Sequence, residues 1–353
     1  MALSLTACGN GSSEQKDYVY VAVPEASLRD RVSTVYSKTG LVHNGERLQV
    51  LERMQNKRFV RVRTPRGEEG WIQDRYLADQ QTFDQFQQLA EHYAGTPAQA
   101  TATIQDQVKV HVQPGRKTGY LYLLKEKQKV DLLERQVALR NARRAQPVQV
   151  KDEKSKDQDK DADPDDEDDK PDQPKIMEDW WLIRDEQKRV GWVYGRTLYL
   201  DVPNDIAQYS EGQRIVAAFK LDEVTDGDKK LPEYLVLLTD NKDGMPYDFN
   251  QIRIFTWNLR RHRYETAYRE HDMNGVLPVT LGEQDFGSEG KLRTFLLQLK
   301  GDGNQIHQQL YKFNPPLVHK VYAPGEEPAP KPRRKKAASE KAEATRHSHH
   351  LQG

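Results

Sequence analysis

The sequence predicts a mainly β protein. Two small β-barrels stand in tandem, joined by a short helix, and an antiparallel β domain follows as a sandwich or an open sheet. Three observations lead there. First, one motif occurs twice, as Gly70-Trp71-Ile72-Gln73-Asp74-Arg75-Tyr76-Leu77 and as Gly191-Trp192-Val193-Tyr194-Gly195-Arg196-Thr197-Leu198. Upstream of each lies a matching run, Leu48-Gln49-Val50-Leu51-Glu52-Arg53 and Val130-Asp131-Leu132-Leu133-Glu134-Arg135. The upstream runs are 82 residues apart and the Gly-Trp motifs 121, so the second copy holds about 39 extra residues. Second, apolar residues alternate in short runs separated by Gly, Asn and Pro, the pattern of strands and turns. Third, that period switches to a helical one only at 82–95.

The first unit spans 18–79. Val19, Val21 and Val23 alternate, then Leu48, Val50 and Leu51, then Phe59, Val60 and Val62, then Trp71 and Ile72. Asn44-Gly45 and Pro65-Arg66-Gly67 supply the turns, Gly through positive φ and Pro through its fixed φ. A barrel of this size has little core, so Trp71 and Trp192 are expected inside it. The order is an entry strand, Gly45-Glu46-Arg47-Leu48-Gln49-Val50-Leu51-Glu52, Phe59-Val60-Arg61-Val62, then Gly70-Trp71-Ile72 closing on Tyr76-Leu77. It resembles the bacterial SH3-like (SH3b) domain of cell-envelope proteins and cell-wall enzymes. Phe59 stands where that family often has Trp. The resemblance implies SH3-like barrels that recognise cell-wall peptide or a protein partner.

Residues 80–101 form a helical linker. Phe83, Phe86, Leu89, Ala90 and Tyr93 share one stripe, with Thr82 as N-cap and Gly95 as C-cap. The second barrel spans 102–202, and its Val108, Val110 and Val112 alternate before the matching upstream run. An insertion at about 140–176 interrupts it. Residues 151–172 carry twelve acids, five lysines and two prolines, with no aliphatic residue beyond Ala162, and are expected to be disordered. Loop closure grows only logarithmically with length, so a hairpin accommodates the insertion. Asp161, Asp163, Asp165 and Asp166 lack the Gly turn and distal Glu of a calcium loop. The stretch from Thr239 to Asn250 fails that pattern at both ends and reads as a hairpin turn. The third domain spans 203–322, with strands expected at 214–221, 234–239, 252–257, 264–269, 294–299 and 308–313. Asp226-Gly227-Asp228 faintly resembles integrin-type propeller repeats, but the region is too short to close a propeller. The tail, 323–353, is Pro-rich and basic and is expected to be disordered.

Residues 1–17 read as a truncated lipoprotein signal and tether. Leu5-Thr6-Ala7-Cys8 resembles a bacterial lipobox, followed by a flexible Gly/Asn/Ser run. Only seven residues precede Cys8, so more signal is expected upstream of Met1. This resemblance implies a lipid on Cys8 and a periplasmic envelope protein, and Gly9 favours the outer membrane. No run reaches the roughly 18 apolar residues of a membrane span.

The sequence offers no active site. Cys8 is the one thiol, on a tether, which removes cysteine-peptidase chemistry and any intramolecular disulfide. Zinc, phosphate-loop and nucleophile-elbow motifs are absent. His262 and His271 lie near Glu265, Glu270 and Asp272, but strand alternation divides them between faces. No cofactor or metal is expected. The net charge is zero but segregated, acidic inside and basic at the end, so no nucleic-acid partner is expected. Binding is left, and aromatic side chains are its natural carriers. Ligand-binding candidates are Tyr36, Tyr76, Tyr120, Trp180, Trp181 and Tyr194. Trp180 and Trp181 are adjacent, so one points outward, and that one is the better candidate. The expected function is a non-catalytic envelope lipoprotein that binds peptidoglycan peptide or an envelope protein. The alternatives are an assembly subunit of an envelope complex and a hydrolase built on the third domain.

Overall fold

The computed structural model describes residues 17–55, 58–140 and 175–322. The expectations for Cys8, the acidic insertion with its aspartates and the basic tail lie outside the described residues. Among the described residues, no helix is long and apolar enough to cross a membrane.

Three seven-stranded antiparallel sheets follow one another. The first contains β1 (Tyr18–Val21), β2 (Glu25–Arg29), β3 (Lys38–His43), β4 (Arg47–Arg53), β5 (Phe59–Arg63), β6 (Glu69–Gln73) and β7 (Leu77–Asp79). The second contains β8 (Ala100–Ile104), β9 (Val108–His111), β10 (Tyr120–Leu124), β11 (Lys129–Leu139), β12 (Met177–Asp185), β13 (Val190–Tyr194) and β14 (Leu198–Leu200). Their strand orders are the same, β3-β2-β6-β5-β4-β1-β7 and β10-β9-β13-β12-β11-β8-β14. In the first, Val21, Leu28, Val42, Leu48, Val60, Val62 and Ile72 join one core although β3 and β1 lie far apart in the order. The sheet therefore curls around them, and its edges β3 and β7 stay open. The edge strand β3 was not visible in the sequence because only Val42 of its residues is buried.

The Gly of each Gly-Trp motif has a steric reason. A Cβ on Gly70 would lie 2.5 Å from Thr39 Oγ1 and 3.0 Å from the Arg29 carbonyl. One on Gly191 would lie 2.5 Å from Val110 Cγ1 and 3.0 Å from the His111 carbonyl. The curl brings β2 and β9 too close for any larger residue.

Helix α1 (Gln80–His92) begins earlier than its spacing predicts. The Asp79 carboxylate accepts from the Thr82 amide at 2.8 Å, so Asp79 is the N-cap and Thr82 lies buried in the first turn. The C-cap is Tyr93 rather than Gly95. The apolar stripe packs on both sheets. Phe83 stacks on Tyr20 of β1 at 4.1 Å, and Phe86 meets Tyr122 of β10 edge-on at 5.0 Å. Asn44 ties the same two sheets. Its amide donates to the Leu121 carbonyl at 2.7 Å and its carbonyl accepts from the Leu123 amide at 3.2 Å.

The third sheet is an open meander, in sequence order, of β15 (Arg214–Asp226), β16 (Lys229–Thr239), β17 (Phe249–Asn258), β18 (Arg263–Asp285), β19 (Lys291–Lys300), β20 (Ile306–Asn314) and β21 (Leu317–Val321). The sequence missed β21 and the second half of β18. That strand pairs with β17 through its first half and with β19 through its second. One face buries Leu235, Ile254, Phe295 and Phe313. The short α2 (Asn204–Ala207) places Ile206 on the other, against Val236 and Phe255.

A buried ionic junction locks the second sheet to the third. Arg135 of β11 donates to Asp179 at 2.6 Å, to Asp248 at 3.0 Å and to the Tyr247 carbonyl at 2.9 Å. Asp179 also accepts from Arg214 at 2.7 Å and from the Gly244 amide at 2.8 Å. Burial alone would raise the Asp179 carboxyl, but the hydrogen bond and charge of Arg135, aided by Gly244 and Arg214, hold it below its ordinary value. The 239–250 stretch is thus more than a turn, since it carries the carbonyls and the Asp248 carboxylate that Arg135 needs. Asp179→Ala leaves Arg135 buried without its closest partner and should cost roughly 3–5 kcal/mol in urea unfolding. An unchanged midpoint would show that this junction does not hold the two sheets.

Candidate functional site

Strand alternation builds the site on the first sheet. Leu28, Val60, Val62 and Ile72 point into the core, so Arg29, Phe59, Arg61, Trp71 and Gln73 stand on the outer face. Register brings them side by side, with Trp71 opposite both Arg29 and Arg61, and Phe59 opposite Gln73. The guanidinium carbon of Arg29 lies 4.1 Å over the Tyr36 ring and 5.5 Å from the Phe59 centroid. The loop after β2 carries Tyr36, and Asp30 closes that loop. Its carboxylate accepts from the Ser37 amide at 2.8 Å, and its own amide donates to the Ser37 carbonyl at 3.0 Å. The Ser37 bond, with Arg31, lowers the Asp30 pKa. Val35, at the loop tip, is 80% exposed.

The second sheet repeats these positions with another outcome. Aligned on the Gly-Trp registers, Trp71 corresponds to Trp192, Phe59 to Trp180, Arg61 to Leu182 and Arg29 to His111. Trp192 is 4% and Trp180 1% exposed, because Leu89, Ala90 and Tyr93 of α1 cover the cluster. His111 packs edge-on to Trp180 at 5.2 Å. Its Nδ1 lies 3.0 Å from Thr118 Oγ1 and 3.2 Å from the Thr118 carbonyl. Burial, with a small contribution from Lys109, pushes His111 down to about 4, against the opposing Thr118 bond. The expectation that both Gly-Trp tryptophans are core therefore holds for Trp192 and fails for Trp71, which belongs to no apolar cluster and is half-buried.

The other sequence candidates fall in different places. Tyr36 is at the open face. Tyr76 packs on the first core beneath Arg75, whose guanidinium carbon is 5.2 Å from the ring. Tyr120 packs on the second core with Lys109 Nζ 4.4 Å from its ring. Tyr194 borders the sealed cluster, with Arg116 4.9 Å from its ring, and burial raises its pKa. Alternation does send Trp180 and Trp181 to opposite faces, yet neither offers a free ring. Trp180 lies under α1, and Trp181 packs against the cores of both the second and third sheets. Arg29 and Phe59 were missed, because only register shows that they flank Tyr36 and Trp71.

The histidine cluster of the third domain divides as alternation requires. His262 bonds Asp226, which also accepts from Trp257 Nε1 at 2.8 Å. His271 pairs with Asp272, while Glu270 accepts from Tyr268 and Tyr311. Asp240 accepts from Tyr247 and Asn250, and Asp243 pairs with Arg196 and Arg214. A groove of about 650 Å³ lined by Tyr199, Val202, Pro203 and Ile215 lies where the second sheet meets the third, away from the aromatic face.

Two parts of the chain match known families. Residues 24–78 match the family described as bacterial SH3 domain. The first sheet is a bacterial SH3 domain. Residues 98–198, which hold the second sheet except the end of β14, match the GW (Gly-Tryp) dipeptide domain. No curated protein matches the chain. Among solved structures, an NlpC/P60 family protein from Bacillus cereus ATCC 10987 is similar at 11% identity and a TM-score of 0.22, over 59% of this chain. The chain spans 65% of that protein's length. NlpC2 from Trichomonas vaginalis is similar at 9% identity and a TM-score of 0.17, over 74% of this chain and 99% of that one.

Two outcomes follow from the paired tryptophans. Trp192→Ala should cost roughly 3–5 kcal/mol in urea unfolding, whereas Trp71→Ala should cost under about 1 kcal/mol. Equal losses would contradict the open and sealed assignment. His111 has a folded pKa of about 4, below its ordinary 6.5. The unfolded chain therefore binds the extra proton first. The stability this neutral imidazole allows is complete above pH 6.5 and is lost as pH falls toward 4, by roughly 3 kcal/mol. His111→Gln should flatten that part of the pH profile, and an unchanged slope would assign it to other groups.

Proposed function

We propose that this chain is a non-catalytic binding protein of the bacterial cell envelope, and that the first sheet binds the peptide portion of peptidoglycan. The observation that carries this reading is the half-buried cluster of Tyr36, Phe59 and Trp71, which no helix seals, on the part of the chain that matches the bacterial SH3 domain. Flat aromatic side chains give contact area at low entropy cost, and strand backbone holds them rigid before the ligand arrives. The match of the second sheet to a GW domain supports an envelope setting. The second sheet serves as scaffold, because its aromatic face is already filled by α1. A lipid on Cys8 would hold the whole chain at the periplasmic face of a membrane, preferably the outer one, through the Gly/Ser tether.

The purified chain should be retained by sedimented peptidoglycan. Trp71→Ala should weaken retention about tenfold, the effect of losing one interface aromatic. Trp181→Ala, at the junction of the second and third sheets, should leave it unchanged. Retention that survives Trp71→Ala and fails with Trp181→Ala would move the site to that junction.

A further inference from the structure

Arg29 is the one feature of the open face that aromatic contact leaves unused. Its guanidinium lies over the Tyr36 ring and near the Phe59 ring. Among the described residues no carboxylate pairs with it. Its neighbours on the same face are engaged, since Arg61 and Arg63 share Glu69 at 3.1 and 2.6 Å. A guanidinium held by its flat face keeps its edge N–H groups free, and that planar fork fits a carboxylate. Tyr36 itself is held by the loop that Asp30 closes, so little ordering remains to be done on binding.

We infer that Arg29 is a carboxylate-binding residue, and that the ligand presents a free carboxylate beside a segment covered by Tyr36 and Trp71. This inference rests on the peptidoglycan reading above. Arg61 and Arg63 share the single acid Glu69, so among these four residues Arg29 is the cation with no carboxylate beside it. The counterpart of Arg29 in the second sheet is His111, which is closed from solvent, so the charge selectivity belongs to the first sheet alone.

The test uses the full chain with two probes. One is purified peptidoglycan. The other is the same material with its carboxyls amidated by carbodiimide and ammonia. Half-saturation is read by sedimentation for wild type, Arg29→Gln and Trp71→Ala. Wild type should lose about tenfold on amidation, the effect of one charge-assisted bidentate contact. Arg29→Gln should be weaker by a similar factor on native material and lose nothing further on amidation. Circular dichroism checks folding, and Arg29→Lys, which keeps the charge but loses the fork, replaces the Gln variant if that fails to fold. It should also bind native material more weakly than wild type. If wild type binds both probes equally while Trp71→Ala weakens both, the carboxylate role is overturned and the aromatic site stands. The same holds if amidation weakens wild type and the Arg29 variant equally. If wild type is retained by neither probe, the peptidoglycan reading falls, and the role of Arg29 with it.

Discussion

The burial of one face of α1 organises the first two sheets of this molecule. Five residues of a helical stripe do three jobs. Phe83 stacks on Tyr20 of the first sheet. Phe86 fills the second core, beside the space that Gly191 leaves open. Leu89, Ala90 and Tyr93 cover Trp180 and Trp192. Apolar area removed from water is the dominant favourable term in such packing. A short helix therefore fixes two small sheets that could each bury only a modest core alone. The same contact assigns different tasks to two sheets with one strand order. Where the helix lies, the aromatic cluster becomes core. Where it does not, the corresponding residues stay at the surface.

The second connection is ionic. Arg135 and Asp179 lie on the paired strands that flank the acidic insertion, and they grip the 240–248 loop of the third domain. Buried charges of this kind add little net stability compared with an apolar substitute, but losing one partner is expensive. They also demand one geometry, because the Arg135 fork must meet two carboxylates and backbone carbonyls together. The second sheet therefore stands between two fixed partners, with α1 on one face and the third sheet against Trp181 on the other.

Much of the architecture was legible because it rests on local patterns. The duplicated Gly-Trp motif, the alternating valines and the helical stripe of α1 each reflect the period of the element they form. What stayed hidden depends on pairing across distance. The strand β3 has a single buried residue, and β18 continues through Pro278 by changing partners from β17 to β19. The site shows the same limit. Tyr36 was readable as an aromatic in a loop. Arg29 and Phe59 gained meaning only once register placed them beside it. Trp71 and Trp192 are the same motif residue, and nothing local distinguishes them. Which one is core is decided by a helix that follows the first copy and folds onto the second.

The division between an open first face and a sealed second face can be observed directly at the tryptophan indoles. In the ¹⁵N-labelled chain, soluble peptidoglycan fragments should shift the Trp71 indole resonance and leave those of Trp180 and Trp192 in place. Shifts at Trp180 and Trp192 with Trp71 unmoved would contradict the account, because they would require α1 to leave the second sheet when ligand binds.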